Sequence, residues 1–303
     1  MALENILAVL FDFDLTLSAE YMQAALFRKY NVEGKAFWQE KGQMVAEAKE
    51  RGINLDDECA YLNLMLRYVR KGDFPKLSNA ELRELGREVR LHAGLPEFLP
   101  RLKEQITADP AYAPYNVQLE FYVISSGLKE MVLGSALGPC LTDVFGAEFM
   151  EDADGTIAEI ARVIGHAKKP EFIHLINKGG NVNPDIDLNG LLPRDLRRVP
   201  FENMLYVGDG ASDVPSFETL NKRGGKSFAV YNPASEEAFR QAYALQRDSR
   251  VLAFGPADYT EGSHTPRVIQ RVLREMVEEK IELQEEEIRR RASPAPKHIA
   301  EGK

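Results

Sequence analysis

The sequence predicts an α/β fold built on a doubly wound, mostly parallel sheet. Three short apolar runs carry that prediction. Ile6-Leu7-Ala8-Val9-Leu10 leads into Phe11-Asp12-Phe13-Asp14-Leu15-Thr16, and Met204-Leu205-Tyr206-Val207 into Gly208-Asp209-Gly210-Ala211-Ser212-Asp213. Between them in sequence, Leu119-Glu120-Phe121-Tyr122-Val123-Ile124 leads into Ser125-Ser126-Gly127. Nearly continuous apolar runs read as strands buried on both faces, the pattern of a parallel sheet with helices on either side. Each run stops at carboxylates, hydroxyls or glycines, so polar groups gather at the strand ends.

In an open parallel sheet, ligands bind beyond the carboxyl ends of the strands. Asp12 and Asp14 are close in sequence there, and two crowded carboxylates repel unless a cation or a shared proton offsets them. Glycines flanking Asp209 allow a tight turn and close backbone approach. Ser125, Ser126 and Gly127 open a helix expected over 128–137, where hydroxyls and free N–H groups suit an anion. Acidic residues for a metal beside neutral donors for a phosphate point to phosphoryl transfer.

These segments resemble the motifs of the haloacid dehalogenase-like (HAD) hydrolase superfamily, on its phosphatase side. Asp12-Phe13-Asp14-Leu15-Thr16 is similar to the first motif, Ser125 to the second, Lys169 to the third and Gly208 through Asp213 to the fourth, in the family's order. Lys168 is the rival for the third motif; Lys169, directly ahead of Pro170, fits better the residue before a helix. The resemblance implies a Rossmann-like core with a small helical cap domain, in a layout like that of phosphoserine phosphatases. It does not extend to the region from about Tyr243 onward.

By the same resemblance, Asp12 is the nucleophile that forms an aspartyl-phosphate, and Asp14 the general acid that then activates water. Asp12, Asp209 and the backbone carbonyl of Asp14 are the implied ligands of Mg²⁺, which prefers hard oxygens. Four roles are open to Asp213: metal ligand, water-bridged partner, orienter of Lys169, or N-cap of the helix that follows. Ser125 donates to a phosphate oxygen, with Ser126 and Gly127 adding N–H groups, and Thr16 steadies the first loop. The glutamate that phosphoserine phosphatases use for an amino group falls one position beyond Glu20.

Two other readings share these residues: transfer of the phosphoryl group to an acceptor other than water, and a non-catalytic regulatory protein on a HAD fold. A degenerate protein is expected to lose Asp12, Asp14 or the lysine, and all three are present.

The rest of the 303-residue chain fits this frame. Residues 1–17 and 94–245 form the expected core. Residues 18–93 form the cap, with helical periodicity over 19–30, 34–51, 56–71 and 78–91 and a capping-box pattern at Ser78-Asn79-Ala80-Glu81. Tyr21, Arg28, Trp38, Gln39 and Arg67 are the cap's candidate leaving-group readers. A helix over 96–106, a hairpin turning at Asp154-Gly155, an exposed loop over 179–200 and a last core strand over 226–232 follow. Residues 246–303 form a C-terminal extension, with a long helix over 265–291 and a frayed tail over 293–303.

A net charge of −9 argues against nucleic acid or an anionic membrane as partner, so an anionic substrate must be held by a local site. The expected partner is a small phosphorylated metabolite. Cys59 and Cys140 lack metal-ligand spacing, and the N-terminus lacks a basic region, which together imply a cytoplasmic protein.

Overall fold

The computed structural model describes residues 5–193 and 196–292. Its centre is β1 (Asn5–Phe11), buried along its whole length and paired in parallel with β2 (Val117–Leu128) and β5 (Met204–Gly208). With β3 (Asp143–Glu151), β4 (Ile157–Arg162), β6 (Lys226–Tyr231) and β7 (Ala253–Pro256), the sheet runs β4-β3-β2-β1-β5-β6-β7. All neighbours are parallel except the β3–β4 hairpin at the edge.

Side chains of β1 alternate between two separate cores, which is why the run is apolar at every position. Leu7, Val9 and Phe11 face a core shared with α5 (Phe98–Thr107) and α10 (His264–Ala292). Ile6, Ala8 and Leu10 face the other core, under α7 (Lys169–Lys178), α8 (Val214–Asn221) and α9 (Glu236–Arg247). Helices on both faces make the sheet doubly wound, as expected.

Four helices, α1 (Gln23–Tyr30), α2 (Gly34–Glu50), α3 (Asp57–Lys71) and α4 (Asn79–Gly86), form the insertion after β1. Ser78 caps α4 by accepting from the Glu81 N–H at 3.0 Å. The last insertion helix is fastened to α6 (Lys129–Gly134), which follows β2. A Cβ on Gly134 would lie 1.8 Å from the Arg83 carbonyl oxygen, and one on Gly86 would lie 2.3 Å from that of Met131. Only glycines allow so close a crossing.

The structure corrects several boundaries. The helix expected over 128–137 is the short α6, because β2 continues through Ser125, Ser126 and Gly127 to Leu128 after an irregularity in its pairing with β3. β6 is not the last strand. β7 pairs with it, so part of the expected C-terminal extension belongs to the sheet. The long helix α10 is also integral, burying Ile269, Leu273 and Val277 in the larger core while its second half exposes Leu283 and Ile288. The expected tail over 293–303 lies outside the described residues. Among the described residues, no helix is long and apolar enough to cross a membrane.

Candidate active site

The first-motif loop is held from several directions. The Asp12 N–H donates to the Val207 carbonyl at 2.9 Å, locking the end of β1 to β5. N–H groups of Leu17 and Ser18 converge on the Phe13 carbonyl, and Leu15 takes a left-handed φ of 60°, a conformation that costs a branched residue energy. The surroundings hold it there: the Thr16 carbonyl accepts from the Tyr259 hydroxyl at 2.8 Å, and His92 Nε2 lies 3.3 Å from the Leu15 carbonyl. Thr16 thus steadies the loop through its backbone, while its buried hydroxyl has no partner.

Lys169 is the buried lysine, 1% exposed, whereas Lys168 beside it is exposed. Its Nζ lies 2.9 Å from Asp12 Oδ1 and 2.7 Å from Asp213 Oδ1. Burial works to strip the ammonium of its proton, but the two carboxylates outweigh it and hold the pKa well above its ordinary value. Asp213 Oδ1 also accepts from the Tyr206 hydroxyl at 3.0 Å. The carboxylate fits here because residue 208 is glycine; a Cβ there would lie 2.2 Å from Asp213 Oδ2. Asp213 occupies the N-cap position of α8, as one of the four roles has it, but its side chain makes no capping bond there, being directed instead to Lys169 and Tyr206.

Asp12, Asp209 and Asp213 each place a carboxylate oxygen within 4.8 Å of the others. The buried Asp213 Oδ2 has no hydrogen-bond partner. Three clustered carboxylates, one of them with an oxygen left unpartnered, fit a small divalent cation. Asp14 is not among them. Its Oδ1 accepts instead from the Met22 N–H at 2.8 Å and the Ser18 hydroxyl at 3.4 Å, so any part it has in holding a metal falls to its backbone carbonyl.

Burial dominates the proton affinity of these acids. It pushes Asp12 up to about 6 against the pull of Lys169, and Asp14 up to about 7 against the Met22 N–H. Asp209 rises to about 8, through burial and then the charges of Asp12 and Asp213. All three start from an ordinary value of 3.8, so the folded protein keeps protons that the unfolded chain releases. Without a divalent cation, stability is therefore expected to fall as pH rises from near 4 through about 8. A bound cation replaces those protons, so Mg²⁺ should raise Tm more at about pH 8.5 than at about pH 6. A Tm series in EDTA and in Mg²⁺ checks this; an Mg²⁺ shift that shrinks with rising pH would contradict the metal assignment.

The second-motif serines lie on β2, just beyond Val123, the residue of that strand paired with Phe11 at the end of β1. Ser125 is buried, and its hydroxyl oxygen accepts from the Gly127 N–H at 2.9 Å, leaving its own proton to donate. Gly127 therefore contributes a wall rather than the free N–H expected of it, and a Cβ there would lie 2.3 Å from Met22 Cε. The Ser126 carbonyl accepts from the Tyr61 hydroxyl at 2.7 Å, bringing α3 of the insertion over the strand ends, while the Ser126 hydroxyl is buried without a partner.

Beside Asp14 opens a cavity of about 400 Å³ between insertion and core, lined in part by Gln23, Tyr21, Trp38, Tyr61 and Glu58. Of the five expected cap readers, Tyr21 and Trp38 line it. Arg28 does not: it pairs with Glu20 at 2.8 Å and donates to the Glu88 carbonyl. Gln39 and Arg67 line a separate surface depression. Glu20, engaged by Arg28, is not among the residues lining the cavity. Sequence reasoning missed Gln23, Tyr61, Glu58 and His166, which pairs with Glu58 at 3.1 Å. Their placement depends on how α1 and α3 dock against the core and the turn before α7 that carries His166, and no local pattern encodes it.

Four segments distant in sequence thus converge at the carboxyl end of one parallel sheet, with a helical insertion between the first and the second of them. The chain belongs to the same family as an uncharacterized protein of Borreliella burgdorferi, to which it is 32% identical over 278 residues, 86% of this chain and 94% of that one. No family model matches the chain. Among solved structures it is similar to a HAD family hydrolase from Salmonella enterica serovar Typhi (17% identical, TM-score 0.48, covering 83% of this chain and 67% of that one). It is also similar to a probable phosphoserine phosphatase from Vibrio cholerae (13% identical, TM-score 0.49, 92% and 69% covered). A phosphoserine phosphatase holding a phospho-aspartyl intermediate analogue is 16% identical (TM-score 0.45, 83% and 93% covered).

Proposed function

We propose that the protein is a Mg²⁺-dependent phosphatase that hydrolyses a small phosphomonoester through an aspartyl-phosphate on Asp12. The observation that carries this reading is the buried Asp12–Lys169–Asp213 arrangement, which sets a carboxylate and a cation side by side where Asp209 also arrives.

Asp12 attacks phosphorus in line, and the bond from phosphorus to the ester oxygen breaks. The Lys169 ammonium and the Ser125 hydroxyl donate to phosphoryl oxygens, balancing charge in a site that excludes water. Asp14, whose pKa burial pushes up to about 7, is protonated in part of the molecules at neutral pH and in that form gives its proton to the departing oxygen. It then takes a proton from the water that cleaves the acyl phosphate, which returns Asp12 as a carboxylate. Asp12, Asp209 and Asp213, with the Asp14 carbonyl, would hold Mg²⁺, which supplies further neutralisation of phosphoryl charge.

In the same reading, residues 18–93 are a cap that selects the leaving group. Its support is the cavity that insertion side chains share with Asp14. A small phosphorylated metabolite as substrate and a cytoplasmic location belong to this proposal. The direct test is hydrolysis of p-nitrophenyl phosphate with Mg²⁺, with EDTA, and with Ca²⁺, whose longer bonds and larger ligand number spoil in-line geometry. Activity is expected with Mg²⁺ and suppressed by Ca²⁺; full activity in EDTA sinks the metal assignment.

A further inference from the structure

We propose that the cavity beside Asp14 seats an ammonium group on the leaving alcohol, so that the preferred ester is the phosphate of a small amino alcohol without a carboxylate. This rests on the phosphatase reading for the phosphate half and on the cavity for the remainder.

Three independent features of the cavity point to a cation that carries N–H donors. Gln23 is 3% exposed, lines the cavity, and its amide oxygen Oε1 has no hydrogen-bond partner. A buried acceptor of this kind is satisfied by a ligand that brings a donor. Tyr21, Trp38 and Tyr61 form a continuous aromatic wall, with Trp38 centred 6.0 Å from Tyr21 and 6.2 Å from Tyr61. Aromatic faces attract organic cations through the ring quadrupole. Glu58 adds a largely buried carboxylate, and its partner His166 offsets that charge only when protonated.

The remaining charges argue against a zwitterionic amino acid. Among the described residues lining the cavity, Lys41 is the permanent cation, and its Nζ is 2.7 Å from Asp57. A ligand carboxylate would thus meet Glu58 and Asp14 with no free cation to balance it. An alcohol bearing only an ammonium meets the aromatic wall, Glu58 and Gln23 Oε1 favourably.

Trp38 is the one tryptophan in the chain, so its fluorescence reports on this cavity directly. In the Asp12→Asn variant with Mg²⁺, phosphoethanolamine is expected to bind at least about tenfold more tightly than n-propyl phosphate, which replaces the ammonium by methyl. Phosphoserine is expected to bind more weakly than phosphoethanolamine. Glu58→Gln and Gln23→Leu should each narrow the gap between the first two esters. Titrating ethanolamine against 1-propanol into the native protein repeats the comparison without any substitution. Equal affinity of the ammonium and methyl ligands, or tightest binding by phosphoserine, overturns the proposal. Hydrolysis of p-nitrophenyl phosphate, read separately, keeps the two readings apart. Discrimination without hydrolysis sinks the phosphatase alone; hydrolysis without discrimination sinks the ammonium site alone.

Discussion

Asp12→Asn is expected to lower kcat on any phosphomonoester by at least about a thousandfold while leaving the fold intact, as befits loss of a covalent nucleophile. The amide keeps the shape of the carboxylate, and the Asp12 N–H bond to Val207 is made by the backbone, so the β1–β5 junction is unaffected. Lys169 retains Asp213 as partner at 2.7 Å, so no buried cation is left unpaired. What disappears is the negative charge that, in the proposed mechanism, attacks phosphorus. Steady-state kinetics together with a melting curve separate the effects. Near-normal turnover by a folded Asn variant would remove Asp12 from the mechanism.

Lys169→Met should damage both stability and turnover. The side chain sits in a site 1% exposed, between two carboxylates that are themselves buried. Removing the ammonium leaves those charges uncompensated, a change that costs about 3–5 kcal/mol for a buried pair. Asp12, whose proton affinity Lys169 holds down, then takes up a proton more readily, so the lost stability should return in part as pH falls and that carboxyl neutralises. Turnover should drop by about 100-fold or more, the effect typical of removing one preorganised donor from developing charge. A Tm series against pH checks the first part. An unchanged Tm at neutral pH would show that Lys169 does not neutralise the pair.

The two outcomes differ in what the site asks of each residue. In the proposed mechanism Asp12 serves the reaction and is expected to be nearly dispensable for folding. Lys169 is expected to serve both, because its charge offsets the two carboxylates buried beside it.

How far the sequence reaches follows from the same distinction between local and long-range causes. The runs at Ile6, Leu119 and Met204 were legible as central strands because burial on both faces leaves an unbroken apolar record in the chain itself. The order of the acidic and hydroxyl residues after those runs placed Asp12, Ser125 and Asp209 at one end of the sheet, since parallel strands deliver their carboxyl ends to the same side, whereas Lys169 was legible only through its resemblance to the third motif. The helical insertion was legible from its periodicity.

Other features depended on partners distant in sequence. β7 is short, and only its pairing with β6 makes it part of the sheet. Gly127 was expected to offer its N–H, yet the turn of β2 directs that group to Ser125. Asp213 resembled a helix cap until packing set it against Lys169 and Tyr206, where burial makes the ion pair and hydrogen bond obligatory. Arg28 and Arg67 looked as suited to a ligand as Trp38 did, but the docking of α1, α2 and α3 sends the arginines to the surface and Trp38, Tyr61 and Gln23 to the cavity. The sequence by itself determined which residues meet at the strand ends, because that follows from strand direction. Only the tertiary structure decided what faces the leaving group, because side chains from separate helices are brought together there by the burial of their opposite faces.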